Sequence, residues 1–235
     1  MELRLLGNPL MRADPVLYAD MEAYLRSGEW QIAYESPTAL WLRRSRGGLH
    51  AVAAFDPDEA RRLLAGVPLA DMLVLRGCAG LRELAAERGF NGCTPCRQSV
   101  YDAEEPPSVR TEVTIRHPDA ADFPQVAGSY GMVDEAALRA DFDGPDFLGA
   151  YLDGAFVGYV GVHGEGSMGL LHVFPPYRRR GCAEALVAAL IERRLRRGWI
   201  PFAQILADNE ASLQLQRKLG LRLSDGLLYW MWHED

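Results

Sequence analysis

The sequence predicts an α/β protein with a mixed, mostly antiparallel sheet and flanking helices, laid down twice in tandem. Three observations carry this. From residue 110 onward, segments with strand period and helix period alternate. The first half echoes the later part of that order. An acidic stretch with two adjacent prolines, "DAEEPPSVR" at 102–110, separates the patterned halves. The expected domains are residues 1–105 and 110–235.

The elements follow in order. In the first half, "LHAVAAF" reads as a strand, "DPDEARRLLAGV" as a helix and "ADMLVLRG" as a strand. "GLRELAAERGF" is the next helix and "CRQSVYDA" the next strand. In the second half, "TEVTIRHP" is a strand. "DAADFPQVAGSYG" and "DEAALRADFDG" are short helices opened by the N-cap candidates Asp119 and Asp134. Three antiparallel strands fill residues 147–174, turning at Asp153-Gly154 and near residues 164–167. A helix follows with Leu186, Val187, Leu190 and Ile191 on one apolar face. "IPFAQILA" is a buried strand, "NEASLQLQRKLG" a helix stopped at Gly220, and "LRLSDGLLYWMW" a hairpin turning at 224–226. "LRELAAERGF" aligns with "LQLQRKLGL", which points to two related folds in tandem.

The chain has 235 residues, 49% hydrophobic and 24% charged, enough to bury a core. Net charge is −7, which argues against nucleic acid or an anionic membrane as partner. No secretory signal pattern opens the chain, and no apolar run approaches the roughly 18 residues of a membrane span. The expectation is a cytoplasmic protein with its four cysteines reduced, as monomer or homodimer. Cys93 and Cys96 form a lone CxxC without the further ligands of a zinc site, so no metal is expected.

Charge is balanced between the halves: 12 basic and 15 acidic residues precede Arg110, and 13 and 17 follow from it. Locally it is not. Seven of those 13 basic residues fall in "YRRRGCAEALVAALIERRLRRG", residues 177–198. Arg178, Arg179 and Arg180 run into the small residues Gly181, Cys182 and Ala183 just before a helix. The first amides of a helix lack partners and carry partial positive charge, so this turn suits a phosphate. Pro175 and Pro176 end the preceding strand. The arginines between 193 and 197 read as an ordinary solvated helix end. Cys182 reads as a small residue tolerated in the turn, not a nucleophile.

"VFPPYRRRGCA" resembles the acyl-CoA-binding motif of the GNAT N-acyltransferase superfamily, through Arg178, Gly181 and Ala183. "NEASLQLQRKLGL" is similar to a later motif of the same superfamily, through Asn209, Ser212, Leu215, Lys218, Leu219 and Gly220. The two motifs stand in the family's order, with one helix and one strand between them. The resemblance implies the GNAT fold over residues 110–235, preceded by a degenerate GNAT-like domain, an arrangement similar to the glycine N-acyltransferase branch. It implies acyl-CoA, by default acetyl-CoA, as donor, with its pantetheine arm between the strands "LLHVFP" and "IPFAQILA". The donor-binding residues it points to are His172, Val173, Phe174, Arg178, Arg179, Arg180, Gly181, Cys182, Ala183, Asn209 and Ser212.

The implied reaction is attack of a primary amine, on a small molecule or an exposed amino group, on the thioester. Such amines are protonated at neutral pH and need a base. The family's usual glutamate position is Ser167 here; Glu165, two residues earlier, is the candidate base, with His172 and His163 as alternatives. The family's acid tyrosine is replaced by Gln216, which can donate a hydrogen bond to the leaving sulfur but not a proton. The acceptor is expected between residues 130–142 and the turn at Ser224. Two alternatives remain in view: a non-catalytic acyl-CoA sensor, and an aminoacyl-tRNA-dependent transferase of tandem type.

Overall fold

The computed structural model describes residues 12–131 and 135–234; the N-cap candidate Asp134 lies outside them. The chain divides into two compact units that interleave in sequence. The first holds the described residues up to Ser99, together with 205–210 and 223–234; the second holds 100–204 and 211–222.

The first unit opens with α1 (Ala19–Ser27), which the sequence patterns did not reveal, and continues with β1 (Trp30–Ser36), β2 (Ala39–Arg44) and β3 (Leu49–Ala54). Then come α2 (Pro57–Ala65), β4 (Met72–Gly77), α3 (Leu81–Arg88) and β5 (Gly92–Val100). β5 starts earlier than its apolar pattern suggests, so Cys93 and Cys96 lie in a strand. β1, β2 and β3 form an antiparallel meander, and β4 adds parallel to β3. Leu63 and Leu64 of α2, Leu81 and Ala85 of α3 and Phe90 pack on Val52, Leu73 and Leu75. At about 1.5–3 kcal/mol for each large apolar side chain buried, this layer contributes substantially to the unit's stability. α1 carries Asp20, whose carboxylate takes a bidentate hydrogen bond from the fully buried Arg76 guanidinium.

β12 (Leu228–Trp232) lies between β4 and β5, antiparallel to both. β11 (Arg222–Leu223) pairs with β5 as well. The expected hairpin at 224–226 is therefore corrected: β11 and β12 do not pair with each other but follow one another along β5. Ser224, at the bend, is buried and exchanges bonds with the Gln98 backbone, accepting from its N–H at 3.0 Å through Oγ.

The second unit contains β6 (Thr114–Arg116), α4 (Phe123–Ala127), α5 (Glu135–Phe142), β7 (Leu148–Leu152), β8 (Ala155–Val162), β9 (Met168–Val173) and α6 (Cys182–Arg196). It also takes in the start of β10 (Phe202–Leu206) and most of α7 (Glu210–Lys218). Strands β6 to β9 form an antiparallel sheet in chain order. Asp153 and Gly154, at φ 52 and 80, make the two-residue turn between β7 and β8. On one face, Phe123 and Val126 of α4 and Leu138 and Phe142 of α5 pack with Phe147, Phe156, Tyr159 and Leu170. α6 packs against β7, β8 and β9; its residues Leu186, Val187, Leu190 and Ile191 are buried, as their spacing predicts.

Candidate functional site

β9 is the last strand of the four-stranded sheet. Its pairing with β8 slips between Tyr159 and Gly161, and Leu170 sits at the slip with φ 52. A buried leucine in the left-handed region marks a β-bulge, the device that bends a strand away from regular pairing. Beyond the bulge, Tyr159 faces His172 and Gly158 faces Val173. The Phe174 N–H donates to Val157 O at 3.0 Å. Alternation then turns both backbone polar groups of Val173 away from β8, off the free edge. The Val173 carbonyl accepts from Arg178 Nε at 3.0 Å.

The chain leaves β9 through a 3₁₀ turn at Pro175–Tyr177 and enters α6 at Gly181. Two residues in this turn take left-handed backbone: Arg179 at φ 64 and Gly181 at φ 78. Among the described residues, its chain neighbours aside, nothing lies within 4 Å of where a Cβ on Gly181 would stand, so the space in front of it is open. Among the described residues no side chain caps α6. Its first backbone bond is Ala185 N–H to Gly181 O at 3.0 Å, which leaves the amides of Cys182, Ala183 and Glu184 without helical acceptors. Arg178, Arg179 and Arg180 are exposed around this end. Cys182 is buried, points its Sγ at Tyr177 O (3.6 Å), and burial raises its thiol pKa, with Arg180 opposing. Its thiol is thus held in the poorly nucleophilic form.

On the face of β8 and β9 that carries α4 and α5, aromatic rings line up. Tyr159 stacks on His172 with centroids 5.6 Å apart, and Phe174 meets His172 edge-on at 5.4 Å. The Tyr159 hydroxyl and Ser129 Oγ are 2.9 Å apart. Tyr130 packs on the same cluster; burial pushes its hydroxyl pKa up to about 12, with Tyr159, Asp141 and Glu165 adding to the shift. Asp141 of α5 is half-buried. Its pKa is raised by burial, with His163 opposing and Glu165 adding. His172 is held below the ordinary imidazole value, first by burial and then by the Arg178 charge.

Glu165 does not lie on β9, which begins at Met168, but in the turn before it. Its carboxylate accepts a hydrogen bond from the Ser167 hydroxyl. This turn is tied down by Gly166 N–H to His163 O at 2.7 Å and by Arg194, whose Nη2 donates to Gly166 O at 3.1 Å. The reading of the arginines after residue 192 as a solvated end is corrected here. Arg194 is 4% exposed and stacks over Trp199 at 4.4 Å. Arg193 donates to Pro145 O, and Arg197 to Asp146 at 2.6 Å. Val187, Ile191 and Arg194 share helical spacing, a signal that Arg194 faces inward.

The run from His172 to Ala183 is thus brought together on one strand end and one helix start. Asn209 is exposed just before α7, and Ser212 and Gln216 lie on that helix, Ser212 half-buried and Gln216 buried. Ser129, Tyr159 and Asp141 escaped sequence reasoning, because nothing in their local pattern separates them from ordinary packing residues. Among the described residues no group of three or more His, Cys, Asp or Glu is placed to hold a metal. Burial raises both CxxC thiols, Cys96 to about 12. No described helix is long and apolar enough to cross a membrane.

With this geometry, the class is defined by the fold: a mixed α/β GNAT fold, shared with solved N-acetyltransferases. A GCN5-related N-acetyltransferase from Kribbella flavida superposes with TM-score 0.58 at 14% identity, over 98% of each chain. A GCN5-related N-acetyltransferase-like protein from Streptococcus suis gives 0.53 at 16%, over 91% of this chain and 92% of that one. A Drosophila protein gives 0.59 at 22%, over 92% and 88%. More particularly, residues 149–231 match the family described as FR47-like protein. No curated protein matches the chain.

Proposed function

We propose that the protein is an acyl-CoA-dependent N-acyltransferase, with acetyl-CoA as the default donor and a primary amine as acceptor. The observation that carries this is the continuous path from the unpaired edge of β9, through the open turn at Gly181, to the uncapped start of α6. The pantetheine amides pair with Val173 as an added strand would. The pyrophosphate rests on the amides of residues 179–183, with Arg178, Arg179 and Arg180 supplying charge. His172 and Phe174 flank this edge; Ser212, on α7 within the same unit, is a further proposed contact. Backbone N–H groups near the bulge take the acyl oxygen and stabilise it as it becomes an oxyanion. Glu165, held by Ser167, draws the first proton from the incoming ammonium through water. Gln216 donates a hydrogen bond to the thioester sulfur.

The first unit is read as a degenerate copy of the same fold. The parallel β3–β4 ladder and the capped start of α2 support that reading, since both fill positions a donor would need. The GNAT neighbours and the FR47-like match support acetyl transfer in general; the acceptor's identity rests on the site alone.

The test is Gly181→Glu, assayed by calorimetry with CoA and by thermal unfolding. Carboxylate and side chain would fill the open space before α6 and repel the phosphates. Affinity should fall about 100-fold or more, near 3 kcal/mol, while the fold survives. Unchanged affinity would remove the phosphate-turn assignment. Thiol release from acetyl-CoA over a panel of amines separates an enzyme from a sensor, which binds without turnover.

A further inference from the structure

We propose that His172 is a catalytic residue of this site: its imidazole takes the proton that the acceptor nitrogen sheds on bonding to the acyl carbon, and returns it to the departing sulfur. This rests on the acyltransferase reading above and supplies what that reading lacks, a proton for the thiolate, since the amide of Gln216 has none to give.

Position is the first argument. His172 directly precedes Val173, whose N–H and C=O face off the free edge of β9, and it follows the bulge at Leu170. Its ring projects to the face lined by Tyr159, Tyr130 and Phe174, where an acceptor meets the acyl group. Availability is the second. Among the described residues the ring makes stacking contacts but no hydrogen bond. The other histidines differ. His50 is fixed between Trp41 Nε1 at 3.0 Å and Asp71 at 2.9 Å. His117 and His233 meet backbone carbonyls. His163 lies across Gly169, on the far side of the bulge.

Protonation state is the third argument. The groups against the ring are Tyr159 from β8, Phe174 from the end of β9 and the Arg178 charge from the turn. Burial and Arg178 keep the ring neutral near pH 7 and ready to accept. Tyr159 cannot substitute, because its hydroxyl is committed to Ser129 and burial raises its pKa.

The step balances. The neutral amine's lone pair bonds to the carbonyl carbon, and the carbonyl π pair moves to oxygen. His172 accepts one N–H proton. The oxygen pair then returns, the C–S bond breaks with its electrons on sulfur, and the imidazolium protonates that sulfur. Amide and free thiol leave, and His172 is neutral again.

His172→Phe keeps the stacking and removes the nitrogens; His172→Gln is the second variant. With acetyl-CoA and glycine, putrescine or 2-phenylethylamine, thiol release at saturation should fall by about 10²-fold or more. Acetyl-CoA affinity by calorimetry should stay within about threefold, because a base acts after binding. The wild-type kcat should decline as pH falls through a value below the ordinary 6.5, and this limb should be missing from the residual activity. A kcat within about threefold of wild type with the acid limb intact overturns the role of His172 and leaves the acyltransferase reading standing. Parallel loss of acetyl-CoA binding in both variants also overturns it, by making the residue structural. A wild type that binds no acetyl-CoA, or releases no thiol with any of the amines, overturns both.

Discussion

Each half of the chain crosses from a strand, through a short turn, into a helix packed on its sheet, and the two crossings have opposite chemistry. At the first, β3 is zipped to β4 by six parallel pairs, from Leu49 with Met72 to Ala54 with Gly77. The zip is so close at its end that a Cβ on Gly77 would stand 1.8 Å from Ala54 O. Asp56 then caps α2, its Oδ1 accepting from Glu59 N–H at 2.8 Å. At the second crossing, β9 ends its sheet, Gly181 leaves α6 uncapped, and arginines surround the opening. One crossing caps its helix with a side chain, and the other leaves the first amides of its helix without a side-chain acceptor among the described residues. The lesson is that one strand–turn–helix order is closed or left open according to a few residues at the turn. A carboxylate at the helix start closes it; a glycine in left-handed backbone keeps it open.

The sharpest way to break the comparison is to move the first device into the second. Gly181→Asp gives α6 the carboxylate that α2 has. Acyl-CoA affinity should drop by about 100-fold, measured by calorimetry, while stability falls only by about 1–2 kcal/mol, the cost of a side chain at φ 78. Next in size is the anchor at the far end of α6. Arg194→Ala removes a buried guanidinium that holds Gly166 O, approaches Asp146 at 3.6 Å and stacks on Trp199. It should cost about 2–3 kcal/mol in denaturant unfolding and loosen the turn bearing Glu165. The reciprocal change is smaller: Asp56→Ala should cost about 1 kcal/mol of stability and leave acyl-CoA affinity unchanged. A loss of affinity there would mean that the first crossing takes part in binding after all. Arg178→Ala should have the least effect, about three- to tenfold in affinity. One charge near the phosphates is lost, and the Val173 carbonyl is freed from Arg178 Nε for the donor.

Much of this architecture was legible in the sequence because it is local. The apolar stripe of Leu186, Val187, Leu190 and Ile191, the Asp153-Gly154 turn and the glycine before α6 are set by residues a few positions apart. Pairing at a distance was not legible. The alternation in "LLYWMW" announces a strand but not that its neighbours are β4 and β5. The meander of β1 and β2 was missed: β1 is exposed over most of its length and carries no clean alternation. Arg194 hid among like neighbours, and only its spacing from Val187 and Ile191 could have singled it out. Nothing local showed that the candidate base Glu165 lies in a turn; the His163–Gly166 bond keeps the chain out of the sheet until Met168. The bulge at Leu170 had no signal, since leucine in left-handed backbone is held there by its surroundings rather than by its own preference.

The position of β12 bears on how the protein is made. β4 and β5 do not touch as neighbours; the strand that joins them is synthesised long after both, following the whole of the second unit. A nascent chain that has just released β5 therefore has a sheet with its central seat vacant and two raw strand edges. Those edges wait through the synthesis of more than half the molecule. The sheet of the first unit therefore cannot close between β4 and β5 until residues 228–232 are present.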